Sequence, residues 1–198
     1  FPITSAAGGG YCLDESSDAL SEAGISMNLT TQYAAQHLCV LSTVDSTNNY
    51  LKQHAADLPH GYAVVADCQT AGRGRLGRSF VSPSGSGIYI SLLLRPNIPL
   101  ERMHLMTVGA AIAACEAIQE TAGFTPDIKW VNDVLMHGKK LCGILTEASI
   151  EAETGQLSYV IVGIGLNVRT PAGGLAPEIA DIAGCLEDFA PHAVRRNA

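Results

Sequence analysis

The seven residues Gly72-Arg73-Gly74-Arg75-Leu76-Gly77-Arg78 concentrate chemistry in this 198-residue chain. Three of its twelve Lys and Arg fall within these seven positions. Guanidiniums are permanently charged, planar forks that match carboxylate and phosphate. Interleaved glycines let the backbone approach a ligand closely and turn N–H groups toward an anion. Clustered like charges repel, so the loop should order on an anion. The letters satisfy G-x-G-x-x-G, but a dinucleotide fingerprint must open a helix. Here Ser79-Phe80-Val81-Ser82-Pro83-Ser84-Gly85 follows, and Arg95 stands near where the fingerprint needs an acid. The G-K-[ST] ending of a Walker loop is also missing. A solvated charged loop is the plain alternative, made less attractive by the glycines.

A second group is Lys129-Trp130-Val131-Asn132-Asp133, followed in the next turn by Lys139-Lys140. Asp133, at a strand end, suits a divalent cation or an Arg. Read alone, Asn132-Asp133 is also a turn signal and Lys139-Lys140 a solvated turn. Ser46 and Thr47 read as a helix N-cap.

The elements that must position these groups alternate short strands with two helices. Strands are expected over 37–44, 62–68, 87–94, 128–131, 134–136, 141–150 and 157–168. Helices are expected from Ser46 or Thr47 to about Asp57, and over 99–121 with Gly123 just past the end. Tight turns at His137-Gly138 and Thr154-Gly155 join consecutive strands. Beyond Val168 the pattern loosens into Pro/Gly/Ala-rich sequence with a helical tail. The class is α+β, a mixed and mainly antiparallel sheet with packed helices.

Composition agrees with a globular protein: 47% apolar, 16% charged. A net charge of −7 argues against a general nucleic-acid coat and a basic membrane anchor. The six cysteines are scattered without C-x-x-C, as for reduced thiols. No signal peptide or apolar run of membrane length is visible, and a cytoplasmic location is expected. Residues 1–37 carry acids but no Lys or Arg, and read as an appendage to a domain over 38–198.

Five segments, in order, make the chain resemble the catalytic domain of biotin protein ligases. Val44-Asp45-Ser46-Thr47-Asn48 is similar to the family's D-S-T-N segment, and 69–78 to its Q-x-A-G-R-G-R-x-G-R loop. Residues 129–133 resemble K-W-P-N-D, 140–147 resemble K-L-x-G-I-L-x-E, and 163–168 resemble G-x-G-x-N. The resemblance implies a fold like that of class II aminoacyl-tRNA synthetase cores. It implies that biotin and ATP yield biotinyl-5′-adenylate and pyrophosphate. The biotinyl group then passes to a lysine of a biotin carboxyl carrier protein domain.

By the same resemblance, Ser46, Thr47, Asn48, Gln69, Gly72, Arg73, Gly74, Arg75, Lys140, Gly143, Gly163 and Gly165 would bind biotin. Arg75, Arg78, Phe80, Lys129, Asn132 and Asn167 would face ATP, and Asp133 would hold Mg²⁺. Arg75, Lys140 and Asp133 would be the catalytic groups, Asp133 steering the acceptor lysine. Val131 stands in place of the usual Pro, and Phe80 in place of the usual Trp. Cys142, beside Gly143, is either thiol-sensitive or an inert buried cysteine. Residues 9–13 resemble the end of a winged-helix domain, and 17–25 a linker from it. DNA binding by this piece is not expected. The family's C-terminal SH3-like domain is expected to be absent, and a homodimer is compatible with the resemblance.

Overall fold

The computed structural model describes residues 3–6, 8–13, 17–29 and 37–198. Asp14 and Glu15, among the acids of residues 1–37, lie outside the described residues. Strands β1 (Ile3–Ala6) and β2 (Gly10–Leu13) form an antiparallel pair of their own. A short helix, α1 (Glu22–Ser26), starts at Ser21, whose Oγ accepts from the Gly24 N–H at 3.1 Å.

The main body is one seven-stranded sheet. Its strands are β3 (Leu38–Leu41), β4 (Tyr62–Ala66), β5 (Gly87–Leu94), β6 (Asp127–Lys129), β7 (Asp133–Met136), β8 (Lys139–Ile150) and β9 (Leu157–Asn167). They lie in the order β3-β4-β5-β9-β8-β7-β6. Only β3 and β4 run parallel; every other pair is antiparallel. The expected mixed, mainly antiparallel sheet is therefore present. The His137-Gly138 turn has both φ values positive, +48° and +81°, as a two-residue hairpin requires.

Two helices pack on opposite faces of this sheet, and the alternation along β9 shows why. Val160 and Val162 pack in the cluster that holds Ala111, Ile118 and Ala122 of α3 (His104–Ala122). Ile161, between them, packs with Leu51 of α2 (Thr47–His54). Side chains two apart share a face, so Gly163 and Gly165 lie on the α2 side with Ile161. Cross-strand register puts Gly143, Leu145 and Glu147 of β8 on that side too, opposite Gly165, Gly163 and Ile161. Ser91 and Tyr89 of β5 are paired with Gly163 and Gly165.

Several boundaries differ from the sequence expectation. The long helix begins at His104, after a 3₁₀ turn at Leu100–Arg102, and ends where Gly123 takes φ +77°. Ser46 is the N-cap of α2 by backbone geometry, yet its side chain makes no cap hydrogen bond. The expected helical tail is reduced to α4 (Pro177–Ala180) and a 3₁₀ turn at Leu186–Asp188. Pro171, Gly173, Gly174, Pro177 and Pro191 interrupt longer helices there.

Arg196 and Asn197 fold back on residues 17–28 instead. Arg196, with only 8% of its side chain exposed, pairs with Asp18 at 2.9 Å and Asp67 at 2.5 Å. Arg169 meets Asp18 at 2.8 Å and Glu187 at 3.3 Å. Asp67 also accepts from the Ser84 hydroxyl and the Gly85 N–H. Burial by itself would raise Asp67, but the Ser84 and Arg196 hydrogen bonds outweigh it and hold its carboxyl below the usual range.

Candidate active site

The α2 face of the sheet is bare where three glycines meet. A Cβ at Gly163 would overlap the Asn48 carboxamide, and one at Gly165 would overlap the Phe80 ring. Gly143 is covered by the Lys140 side chain and the Phe80 edge. The missing side chains open a pocket between sheet, α2 and the Gly-Arg loop. Phe80 forms an apolar wall, edge-on to buried Tyr89 with ring centroids 6.4 Å apart.

One wall is neutral and polar. The Gln69 carbonyl accepts from the Thr47 N–H at 2.9 Å, and its amide donates to Ser82 Oγ at 2.9 Å. Thr47 Oγ1 lies 2.7 Å from Ser91 Oγ, which lies 2.6 Å from Asn48 Oδ1. The Asn48 amide donates to Glu147 Oε2 at 2.8 Å. Thr47, Asn48 and Ser91 are all buried, so each of these groups needs its partner.

The other walls carry cations. Arg73 donates to Asn49 Oδ1 at 3.0 Å and lies 3.5 Å from Glu147. Arg75 reaches across to Asn132 Oδ1 at 2.7 Å, linking the loop to the segment before β7. Lys140 Nζ sits 2.7 Å from Asp133, and Asn132 donates to the same carboxylate oxygen at 3.0 Å. The loop itself turns through Leu76 and Gly77, both at positive φ. Neutral hydroxyls and amides and the three cations Arg73, Arg75 and Lys140 thus line one pocket, with Arg73 joined to the neutral wall through Glu147.

Most of the residues singled out in the sequence converge here. Ser46, Thr47, Asn48, Gln69, Arg73, Gly74, Arg75, Phe80, Asn132, Lys140, Gly143, Gly163 and Gly165 all border the pocket. Five do not. Gly72 is buried beneath the loop, where a Cβ would strike the Phe80 carbonyl and Ser82. Asp133 stands behind Lys140. The Asn167 amide donates to the Lys140 and Gly184 carbonyls, at 3.4 and 3.1 Å, as a strut. Arg78 and Lys129 are exposed and outside the lining.

The residues missed were Asn49, Ser91 and Glu147. A lone Ser among Ile and Leu in β5 signals an inward polar group, and Glu147 closes a motif already noted. Cys142 is fully buried, and desolvation pushes its thiol up to about 12. It is the inert buried cysteine.

Residues 23–167 match the family described as "Biotin/lipoate A/B protein ligase family". The chain belongs to this family. It is 43% identical over 190 residues to the Bacillus subtilis "Bifunctional ligase/repressor BirA", covering 94% of this chain and 57% of that protein. It is 33% identical over 153 residues to a Mycobacterium tuberculosis "Biotin--[acetyl-CoA-carboxylase] ligase", covering 74% and 53%. The chain thus spans little more than half the length of these curated relatives. The Aquifex aeolicus biotin protein ligase in complex with biotin and ATP superposes with a TM-score of 0.68 at 35% identity. That superposition covers 81% of this chain and 64% of the other. The fold is that of the biotin protein ligase catalytic domain, related to class II aminoacyl-tRNA synthetase cores.

Proposed function

We propose that this chain activates biotin with ATP to biotinyl-5′-adenylate and passes the biotinyl group to a lysine of a biotin carboxyl carrier protein domain. The observation that carries this reading is the pocket's lining, which combines neutral hydrogen-bonding groups, an apolar Phe80 wall and three cations. Biotin presents the matching groups: a neutral ureido ring, an apolar thiophane and chain, and a terminal carboxylate.

In the first step a carboxylate oxygen attacks the α-phosphorus, forming an acyl–O–P bond as the Pα–O–Pβ bond breaks and pyrophosphate leaves. Two anions must approach each other. At 4 Å two unit charges repel by about 1 kcal/mol in water and about 4 at an effective dielectric of 20. Arg73, Arg75 and Lys140 offset that repulsion and hold the reactants in line. Asp133 keeps Lys140 extended toward Gly143, and Asn132 does the same for Arg75. We reassign Asp133 from steering the acceptor lysine to holding Lys140, because its carboxylate oxygen is already engaged there.

In the second step the acceptor amine attacks the acyl carbon, forming an amide as AMP leaves and the amine loses a proton. The acyl-adenylate is already activated, so positioning carries this step. Arg78 and Lys129 would meet ATP phosphates from the rim, with Phe80 against the nucleotide and Asn167 holding the floor. Among the described residues no three His, Cys, Asp or Glu gather as a metal site, and Asp133 is paired with Lys140. Mg²⁺ would therefore arrive with the nucleotide phosphates, beside one carboxylate. No helix of the described residues is long and apolar enough to cross a membrane. Homodimerisation remains a proposal on the family resemblance, as does a cytoplasmic location.

Isothermal titration with biotin, with and without ATP and Mg²⁺, tests the reading, with pyrophosphate followed in parallel. Biotin binding with ATP-dependent pyrophosphate release is expected. Absence of biotin binding by folded protein, or preferential binding of lipoate, would overturn it.

A further inference from the structure

Helix α3 carries charge at its two ends and none between them. From Met103 to Cys115 no Lys, Arg, Asp or Glu occurs. Thr107, Ala111, Ile118 and Ala122 are buried and define the side that packs on the sheet. On the opposite side, facing solvent, an amphipathic helix turns polar. On α3 that side presents Leu105, Gly109 and Ile112, spaced by four and three residues and so on one face. Leu105 is 47% exposed and Ile112 46%. A Cβ at Gly109 would meet nothing within 4 Å, so the patch has a shallow centre beside two apolar knobs.

The ends make this face complementary to itself. Arg102 and Glu120 stand eighteen residues apart, about five turns at 3.6 residues each, and so lie along the same edge of the patch. Both are exposed, and among the described residues neither takes part in an ion pair. Their midpoint is residue 111. The exposed pairs Leu105 with Ala117 and Gly109 with Ala113 share that midpoint. A two-fold axis at that level, perpendicular to the helix, sets a second α3 antiparallel to the first. Arg102 of each copy then meets Glu120 of the other, Leu105 packs over Ala117, and Gly109 over Ala113. Glu116, one turn before Glu120, adds acid near the same Arg102, while Glu101 meets the neutral Gln119 along the far edge. Antiparallel helices also place the positive end of one macrodipole beside the negative end of the other.

We propose that the outer face of α3 is a self-association surface, on which a second copy of this chain docks by antiparallel helix packing about a two-fold axis at residue 111. The ligand of the pocket does not enter. The pocket lies on the α2 face, across the sheet from α3, so both copies keep their pockets open. One helix pair buries less than the roughly 1,200 Å² of a standard interface, so the dimer should be weak, with a dissociation constant on the order of 100 μM.

Sedimentation velocity of the unaltered chain from about 10 to 500 μM should show a reversible monomer–dimer equilibrium. Ile112→Glu puts two carboxylates into the dry centre and should weaken association at least about tenfold. The melting temperature should be unchanged, because the position faces solvent in the monomer. Arg102→Glu sets acid against acid at both ends, and Glu120→Arg sets base against base. Each alone should weaken association about three- to tenfold. An equimolar mixture of these two variants restores opposite charges at both ends of the mixed dimer, and should associate about as tightly as the unaltered chain.

A monomer throughout this range would overturn the proposal. So would a dimer that Ile112→Glu leaves intact, which another surface must hold. A mixture that associates no better than its two components would overturn the antiparallel pairing even if Ile112→Glu fails to fold. None of these outcomes touches the biotin reading.

Discussion

Two charged regions of this molecule use arginine in opposite ways. In the cluster of Asp18, Asp67, Arg169, Glu187 and Arg196, each arginine meets two carboxylates and Arg196 is buried. In the Gly-Arg loop, Arg75 meets only a neutral amide, Arg73 shares one acid at 3.5 Å, and Arg78 is exposed. A buried charge must be paired or it destabilises the fold. A charge that is to receive a ligand must stay underpaired, since a fully paired arginine has nothing left to offer. The first cluster therefore ties Asp18 and Arg196 to Asp67 beside the sheet, and the second leaves guanidiniums available for the anion of the proposed function.

Variants can break this contrast in either direction. Arg196→Ala leaves Asp18 with Arg169 alone and Asp67 with Ser84 and Gly85, and should cost about 1–3 kcal/mol of stability, read from urea midpoints. Lys140→Ala should leave the urea midpoint nearly unchanged and slow pyrophosphate release about 100- to 1,000-fold. If Arg196→Ala slowed chemistry without destabilising, or Lys140→Ala unfolded the chain, the division of roles would fail.

Gly163→Ala should displace Asn48, cost about 1–3 kcal/mol, and weaken biotin binding in the titration assay. Asp67 sharpens the comparison through pH. Its carboxyl is depressed in the folded state, so the stability it adds is present above its unfolded value. That stability is lost as pH falls through the lower folded value. Asp67→Asn should therefore flatten the acid limb of the stability curve, measured by urea unfolding between pH 6 and 3. The smallest effect expected is at Cys142. Brief iodoacetamide treatment of the folded chain at pH 8 should leave it unmodified by mass spectrometry, while the partly exposed Cys39, Cys68 and Cys115 react first.

Much of the site was legible because its chemistry is local. The Gly-Arg loop announces itself by residue type, and Ser46-Thr47-Asn48 and Lys129 to Asp133 by short motifs. Glycines at 143, 163 and 165 have the period of two that places them on one sheet face. Less legible were the contacts between distant segments. Nothing adjacent to Asp133 says that it serves Lys140, and nothing near Asn167 says that it braces Gly184. The expected helical tail shows the same limit, since the end of the chain is held by ion pairs across the fold and not by local propensity.

Residue order by itself determined the strand and helix sequence, the sheet class, the cationic loop and the family, because each depends on spacing within a few residues. Only tertiary structure decided which charges are paired and which are left for a ligand. It also decided that Ser91 and Glu147 contact the pocket residues Thr47, Asn48 and Arg73, and that Arg78 and Lys129 lie outside the lining. Those outcomes depend on distances between segments tens of residues apart in sequence, which the cross-strand register brings together and no local pattern encodes.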